Sequence, residues 1–214
     1  MMKLMKAAFV GLTLLALPAS VAHAATLSLV GGEQNVTLPS NFSGSPQLAA
    51  TGLQANVDQV TVFESTDGVN EGLALSGPAT IRFDFLGSEA GYTNQAIELE
   101  GFGVLFNNKT SIIGQSVTLV LSPNTNGLLP FKFSTSGGGT AADAENGNIT
   151  SPLAIAFTDI VNNSVIALFG DGAGDQDYDD MAIRISVVPL PPALALFGAA
   201  LFGLGWLGKR KKAA

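Results

Sequence analysis

Apolar and polar residues alternate with a period of two in several short windows of the chain. The clearest windows are Thr80–Phe85, Ile97–Glu100 and Ser116–Leu121. This period is typical of half-buried antiparallel strands. In the second window it places Ile97 and Leu99 toward the core and Glu98 toward solvent. The same pattern predicts further strands at Gln59–Glu64, Leu129–Phe133, Leu153–Phe157, Ser164–Phe169, Met181–Val187, Thr26–Val30 and Gly103–Phe106.

Clusters of Gly, Asn, Ser, Asp and Pro separate these windows, and we find no helical periodicity of useful length between them. About ten short strands joined by such turns predict an all-β fold, an antiparallel β-sandwich or jelly roll. Residues 25–187 are long enough for a single domain with its own core. Its ten phenylalanines are expected to supply most of that core. The polar stretch Ser134–Asn148 is expected to be a mobile loop.

The first 24 residues have the order of a secretory signal peptide. Two lysines precede the eleven-residue apolar run Ala7–Leu17, and Pro18 ends it. Ala22 and Ala24 then provide the small residues that signal peptidase reads, so cleavage is expected after Ala24. An uncleaved membrane helix would need about 20 apolar residues. The mature chain is therefore predicted to begin outside the cytoplasm.

Residues 188–214 have three parts, namely a proline-rich motif, an apolar segment and a basic cluster. The motif consists of Val188, Pro189, Leu190, Pro191 and Pro192. Residues 191–208 then form a predicted transmembrane helix, because prolines suit a helix start and the segment is apolar with Trp206 near its end. The cluster Lys209–Lys212 places this end in the cytoplasm by the positive-inside rule, and the domain outside.

This order resembles the PEP-CTERM sorting tails of Gram-negative bacteria, in the variant that reads V-P-L-P-A. Pro192 is interposed before the final alanine, and Leu190 replaces the glutamate of the parent V-P-E-P form. The resemblance covers about 25 residues and concerns sorting alone. It implies that an exosortase cleaves near the motif and delivers the domain to the cell surface or an exopolysaccharide matrix. A plain C-terminal membrane anchor is the alternative.

The charge of the domain excludes several functions. Between residues 25 and 187, four cations stand against seventeen carboxylates, a net charge of −13. Such a surface repels phosphate backbones, so nucleic acid is not an expected partner. The region also contains no His, Cys or Trp. This excludes a Ser-His-Asp triad, a Cys-His pair, a His-liganded zinc, a haem held by His or Cys and an iron–sulfur cluster.

Five carboxylates are concentrated just before the last predicted strand. They are Asp171, Asp175, Asp177, Asp179 and Asp180. Carboxylates this close repel one another unless a cation compensates, and Ca²⁺ accepts six to eight oxygen ligands. The alternate spacing of three of them matches the start of an EF-hand loop, although the rest departs from it. The segment resembles the G-D-x-D-[YF]-[DN]-D element of bacterial surface β-sandwich domains. The sequence predicts a calcium site here, with plain Asx turns as the alternative.

These features together predict a non-catalytic secreted protein of the cell surface or biofilm matrix, stabilised by Ca²⁺. Its expected partners are signal peptidase, an exosortase, the inner membrane as a transient anchor, and an exopolysaccharide. Two alternatives stay open. One is a carbohydrate-binding module, for which Tyr92 and Tyr178 are the domain's only Tyr or Trp rings for stacking on sugars. The other is a carboxylate-dependent hydrolase, because paired carboxylates also serve glycosidases.

Overall fold

A computed structural model of the protein describes residues 24–44, 46–137, 140–172 and 177–189. These residues form fourteen β-strands, one turn of 3₁₀ helix at Ala49–Thr51 and no α-helix. The strands are β1 Leu27–Val30, β2 Glu33–Thr37, β3 Gln59–Glu64, β4 Gly72–Leu75, β5 Ala79–Gly87, β6 Thr93–Glu98, β7 Gly103–Asn107, β8 Ser116–Leu121, β9 Phe131–Gly137, β10 Thr140–Glu145, β11 Asn148–Ile149, β12 Ala154–Phe157, β13 Ser164–Gly170 and β14 Met181–Val187.

The strands form two large sheets and one small one. The larger sheet has the order β2-β3-β12-β13-β14-β5-β8, the second has β11-β10-β9-β6-β7, and β1 pairs with β4. Neighbouring strands are antiparallel in all three sheets. The predicted all-β antiparallel fold is thereby confirmed. No helix among the described residues has the length and apolarity of a membrane span. Most of the predicted signal peptide and the whole predicted transmembrane helix lie outside those residues.

The main core contains side chains from both large sheets, as in a sandwich. Nine of the domain's ten phenylalanines are buried, and Phe102 is the exposed one. Phe133 of β9 stacks on Phe169 of β13, with ring centroids 5.0 Å apart. Phe157 of β12 meets Phe131 edge to face across the same interface, at 6.4 Å. The prediction that these phenylalanines belong to the core is confirmed for nine of the ten, and each buried ring removes a large apolar area from water.

A second buried cluster covers the opposite face of the seven-stranded sheet. Leu38, Phe42 and Leu48, from the segment between β2 and β3, pack there with small and aliphatic residues of β3, β12, β13 and β14. The neighbouring residues in β3 and β12 belong to the main core, so these strands alternate between two apolar environments. Tyr178 joins this cluster from the acidic loop between β13 and β14. The segment 38–55 therefore brings part of its chain close to that loop.

The burial order in the window Ile97–Glu100 differs from the prediction. Glu98 is 3% exposed, whereas Leu99 is 39% exposed. The carboxylate of Glu98 accepts hydrogen bonds from the backbone N–H groups of Glu100 and, at 2.8 Å, Phe102. It thus satisfies two donors of the β6–β7 turn, and buried polar groups are tolerated when they are hydrogen-bonded in this way. The alternation of apolar and polar residues cannot predict that Glu98 is buried and Leu99 exposed.

The stretch Ser134–Asn148 is not the loop that its composition predicts. Apart from residues 138 and 139, which lie outside the described residues, and the turn at 146–147, it belongs to β9, β10 and the start of β11. Asn146 lies buried near its end. Its side-chain oxygen accepts a hydrogen bond from the N–H of Leu73 at 2.8 Å, and its side-chain nitrogen donates to the carbonyls of Leu73 and Leu129, each at 2.8 Å. Pairing of β9 with β6 and β10 therefore outweighs the weak strand propensity of these residues.

Close packing of the segment 38–55 on β5 generates a prediction at Gly87. This residue has φ +140°, and a Cβ built there would lie 2.1 Å from the carbonyl oxygen of Gln47. We expect Gly87→Ala to destabilise the domain by about 1–3 kcal/mol, measured by thermal unfolding. Gly91→Ala is the matched control, because no atom lies within 4 Å of a Cβ at that position. Equal melting temperatures for the two variants would contradict this account of the packing.

Candidate metal centre

The acidic loop joins two central strands of the seven-stranded sheet. Asp171 directly follows β13, and Asp179 and Asp180 lead into β14. The four predicted ligand residues that the structure describes, which are these three and Asp177, are all buried. Asp175 lies in 173–176, outside the described residues. Carboxylates are rarely buried unless they are paired, so four in one loop require compensation.

Glu89, which the sequence analysis did not single out, completes an acidic trio. It lies on the connection from β5 to β6, which crosses from the seven-stranded sheet to the five-stranded one. One carboxylate oxygen each from Glu89, Asp179 and Asp180 lie within 4.8 Å of one another, in a group that could hold a metal ion. The backbone N–H of Glu89 also donates to the carbonyl of Asp179 at 2.9 Å. The structure thus brings two of the predicted ligands together with a distant glutamate.

Asp171 and Asp177 each accept a hydrogen bond from a side-chain amide in another part of the chain. The side-chain amide of Asn94 donates to Asp171 at 3.3 Å, and that of Asn41 donates to Asp177 at 3.2 Å. The backbone N–H of Asp171 donates to the carboxylate of Asp180 at 2.6 Å. This last bond is turn chemistry of the kind that the Asx alternative expects. Coordination of an ion by Asp171 or Asp177 stays a prediction.

Asp179 is the least satisfied carboxylate of the trio. Its side chain is 1% exposed, and Oδ2 accepts a hydrogen bond from the backbone N–H of Ser43. Oδ1 is buried and has no hydrogen-bond partner among the described residues. A buried charged oxygen without a partner costs several kcal/mol or more, depending on how far water and dipoles relax around it. The geometry therefore leaves one buried acceptor at the acidic trio.

No basic side chain compensates the trio in the part of the chain that the structure describes. The two ion pairs seen there join Arg82 with Asp84 and Lys132 with Asp143. Asn94 is fully buried, and its amide nitrogen donates to Asp171 and to the carbonyl of Asp180. This donor is neutral, so the described residues supply hydrogen bonds to the loop but no ion pair to the trio.

The electrostatics of the loop change the titration of two residues. Burial raises the pKa of Asp180 to about 8, and the nearby carboxylates of Asp171, Asp177 and Asp179 add to the shift. Burial also raises the pKa of Tyr178 to about 12, helped by Glu64 and Glu33. In the metal-free protein Asp180 therefore keeps a proton near neutral pH. A bound cation would favour the ionised carboxylate instead.

The raised pKa of Asp180 predicts how the metal-free protein responds to pH. The folded state binds the proton more tightly than the unfolded chain, whose pKa is near 4, so this contribution to stability is complete below pH 4. It is lost as the pH rises through about 8. In chelator, the melting temperature of the wild type should therefore fall from pH 5 to pH 9 relative to that of Asp180→Asn, whose amide stays neutral.

Asp159→Asn serves as the control, because Asp159 is exposed and lies outside this loop. Its melting temperature should differ from that of the wild type by the same amount at pH 5, 7 and 9. A difference between Asp180→Asn and the wild type that does not change with pH would show that Asp180 titrates as an ordinary carboxyl.

In comparisons with known proteins, no family model, no curated protein and no solved structure matches this chain. The function of this chain is therefore inferred from the geometry and chemistry of the acidic trio and from the sequence motifs. The fold alone would not determine that function in any case, because β-sandwiches host many unrelated activities.

Proposed function

We propose that this chain is a non-catalytic exported protein of the bacterial cell surface or matrix, with a sandwich or jelly-roll body stabilised by calcium. The observation that carries the calcium part of the proposal is the buried Oδ1 of Asp179, which has no partner among the described residues and lies beside two further carboxylates. An ion held by Glu89, Asp179 and Asp180 would join the β5–β6 connection to the acidic loop. It would then act as an internal cross-link in a domain without cysteine.

Calcium is favoured by the ligand type and by size. Carboxylate oxygens are ligands for hard cations, and Ca²⁺ binds them at about 2.3–2.6 Å. The three oxygens lie within 4.8 Å of one another, so a single Ca²⁺ can contact all of them. Mg²⁺ is smaller, requires near-octahedral geometry and usually keeps several waters, so it is less suited to a cluster of protein carboxylates.

A binding or structural role is favoured over catalysis by the burial of these carboxylates. Asp179 and Asp180 are both largely shielded from solvent, whereas a glycosidase needs two carboxyl groups that contact the substrate. A carbohydrate-binding module is the second candidate. Tyr178 is 5% exposed and packs inside the second cluster, so Tyr92 is the exposed tyrosine in the described residues. One such ring supplies a small stacking surface for a sugar.

Export and sorting rest on the two terminal segments. The proposed sorting motif begins directly after β14, where the backbone N–H of Val188 donates to the carbonyl of Thr80 at 2.8 Å. Val188 and Pro189 are both exposed, and Leu190, Pro191 and Pro192 lie outside the described residues. An exosortase would therefore meet the motif directly beside the domain. After signal peptidase and exosortase have acted, the acidic domain would remain at the surface or with an exopolysaccharide.

The calcium proposal predicts a melting temperature that depends on the ion. Binding to the folded state adds about 2.7 kcal/mol at a calcium concentration one hundred times Kd, or about 5–10 °C for a domain of this size. Glu89→Gln should lose most of this increment, because the amide keeps the shape of the side chain and removes a ligand charge. Glu100→Gln, which alters an exposed glutamate on the β6–β7 turn, should keep all of it.

Thermal unfolding of the mature protein in millimolar calcium and in chelator measures both effects. Identical curves in the two solutions would refute calcium binding. The acidic loop would then be a set of turns formed by aspartate.

The sorting proposal predicts the fate of an epitope tag placed after Ala214. In cells that carry an exosortase, this tag should be lost from the mature protein, while a tag within the domain should appear outside the inner membrane. Changing both Pro189 and Pro191 to Ala should leave the uncut form in the membrane. Immunoblots of membrane and surface fractions report the outcome. A C-terminal tag that stays on surface-exposed protein would instead show a plain anchor.

A further inference from the structure

The turn that follows β7 carries a lysine with an unusual pair of partners. The ammonium group of Lys109 donates to the carbonyl oxygens of Ala90 and Gly91, each at 2.9 Å. In a domain with seventeen carboxylates, Arg82 and Lys132 form ion pairs, whereas Lys109 binds these two neutral groups. Both carbonyls belong to the connection between β5 and β6. Lys109 thus holds the short loop that presents Glu89.

Asn108 holds the two ends of the same loop. Its amide nitrogen donates to the hydroxyl of Ser88 at 3.1 Å and to the carbonyl of Tyr92 at 2.9 Å. Its amide oxygen accepts from the backbone N–H of Asn94 at 2.9 Å, and its own N–H donates to the carbonyl of Asn94 at 3.0 Å. Every hydrogen-bonding group of the side chain is therefore used between β7, β6 and the loop 88–92.

These contacts continue into the acidic loop. The hydroxyl of Ser88 donates to the backbone carbonyl of Asp180, and Glu89 donates its N–H to Asp179. Glu89 itself has an exposed side chain, so packing does little to fix its carboxylate. Its position relative to the two buried aspartates depends on the backbone of residues 88–92. Asn108 and Lys109, on the turn after β7, form hydrogen bonds to this loop.

We propose that Asn108 and Lys109 are positioning residues of the metal centre, which fix the loop 88–92 so that Glu89 reaches an ion bound to Asp179 and Asp180. This inference rests on the proposed calcium site. Groups that orient metal ligands typically change metal affinity by about ten- to hundredfold when they are removed. Neither residue touches the ion, so their effect on it would pass through the loop.

A calcium titration of the full-length protein in detergent separates positioning from simple electrostatics. Lys109→Met removes a positive charge near an acidic site, and by charge alone it should strengthen calcium binding. If Lys109 positions the loop, losing its two hydrogen bonds to the loop has the opposite effect, and the Kd rises about ten- to hundredfold. Lys109→Arg can still donate to both carbonyls and should restore most of the affinity. Lys132→Met removes the same charge from the β9–β10 hairpin and should leave the Kd unchanged or slightly lower.

Asn108→Asp provides a second test with the same logic. It keeps the oxygen that accepts from Asn94, removes the two donors and adds a negative charge. Charge alone would again tighten calcium binding, whereas positioning predicts weaker binding. Circular dichroism and the melting temperature in chelator show that each variant is folded at the temperature of the titration. If one of Lys109→Met and Asn108→Asp is unfolded at that temperature, the remaining variant decides the outcome.

The possible results are distinct. Weaker binding in Lys109→Met or Asn108→Asp, with recovery in Lys109→Arg, supports the positioning role. Wild-type binding together with an equal or lower Kd in both variants overturns this inference and leaves the calcium site intact. A wild-type protein that binds no calcium overturns the calcium site and the positioning role with it.

Discussion

Burial of carboxylates in the loop between β13 and β14 is the constraint around which this end of the domain is arranged. These two strands are central in the larger sheet, so the loop cannot move to the solvent-exposed edge. Asp179 and Asp180 sit at its end with no basic partner among the described residues, and burial raises the pKa of Asp180 to about 8. Charge in such a place must be neutralised by protons or by a cation.

Three distant parts of the chain converge on this loop. The segment 38–55 brings Asn41 and Ser43 to the carboxylates of Asp177 and Asp179. The β5–β6 connection brings Glu89, and β6 of the five-stranded sheet brings Asn94. An ion at this point would therefore link elements that lie far apart in the sequence. In a domain without cysteine, such an ion would stabilise the folded state by binding to it.

Much of the fold follows from local patterns, whereas the site does not. Strands such as β5 and β14 were predictable because apolar alternation and β-branched residues agree there. The polar edge strand β2 and the hairpin strand β10 were missed, because pairing with neighbours outweighs their weak propensity. At Glu98 a turn-capping carboxylate reversed the expected burial. The cluster of aspartates identified the acidic loop, yet Glu89 and Asn94 lie far away in sequence and only tertiary folding brings them there.

The most direct test of the calcium site is a crystal structure of the mature protein grown with calcium. The account predicts an ion bound by Glu89, Asp179 and Asp180, with metal–oxygen distances of about 2.3–2.6 Å and an anomalous signal at that position. An ordered water, or no density, between these carboxylates at saturating calcium would contradict it.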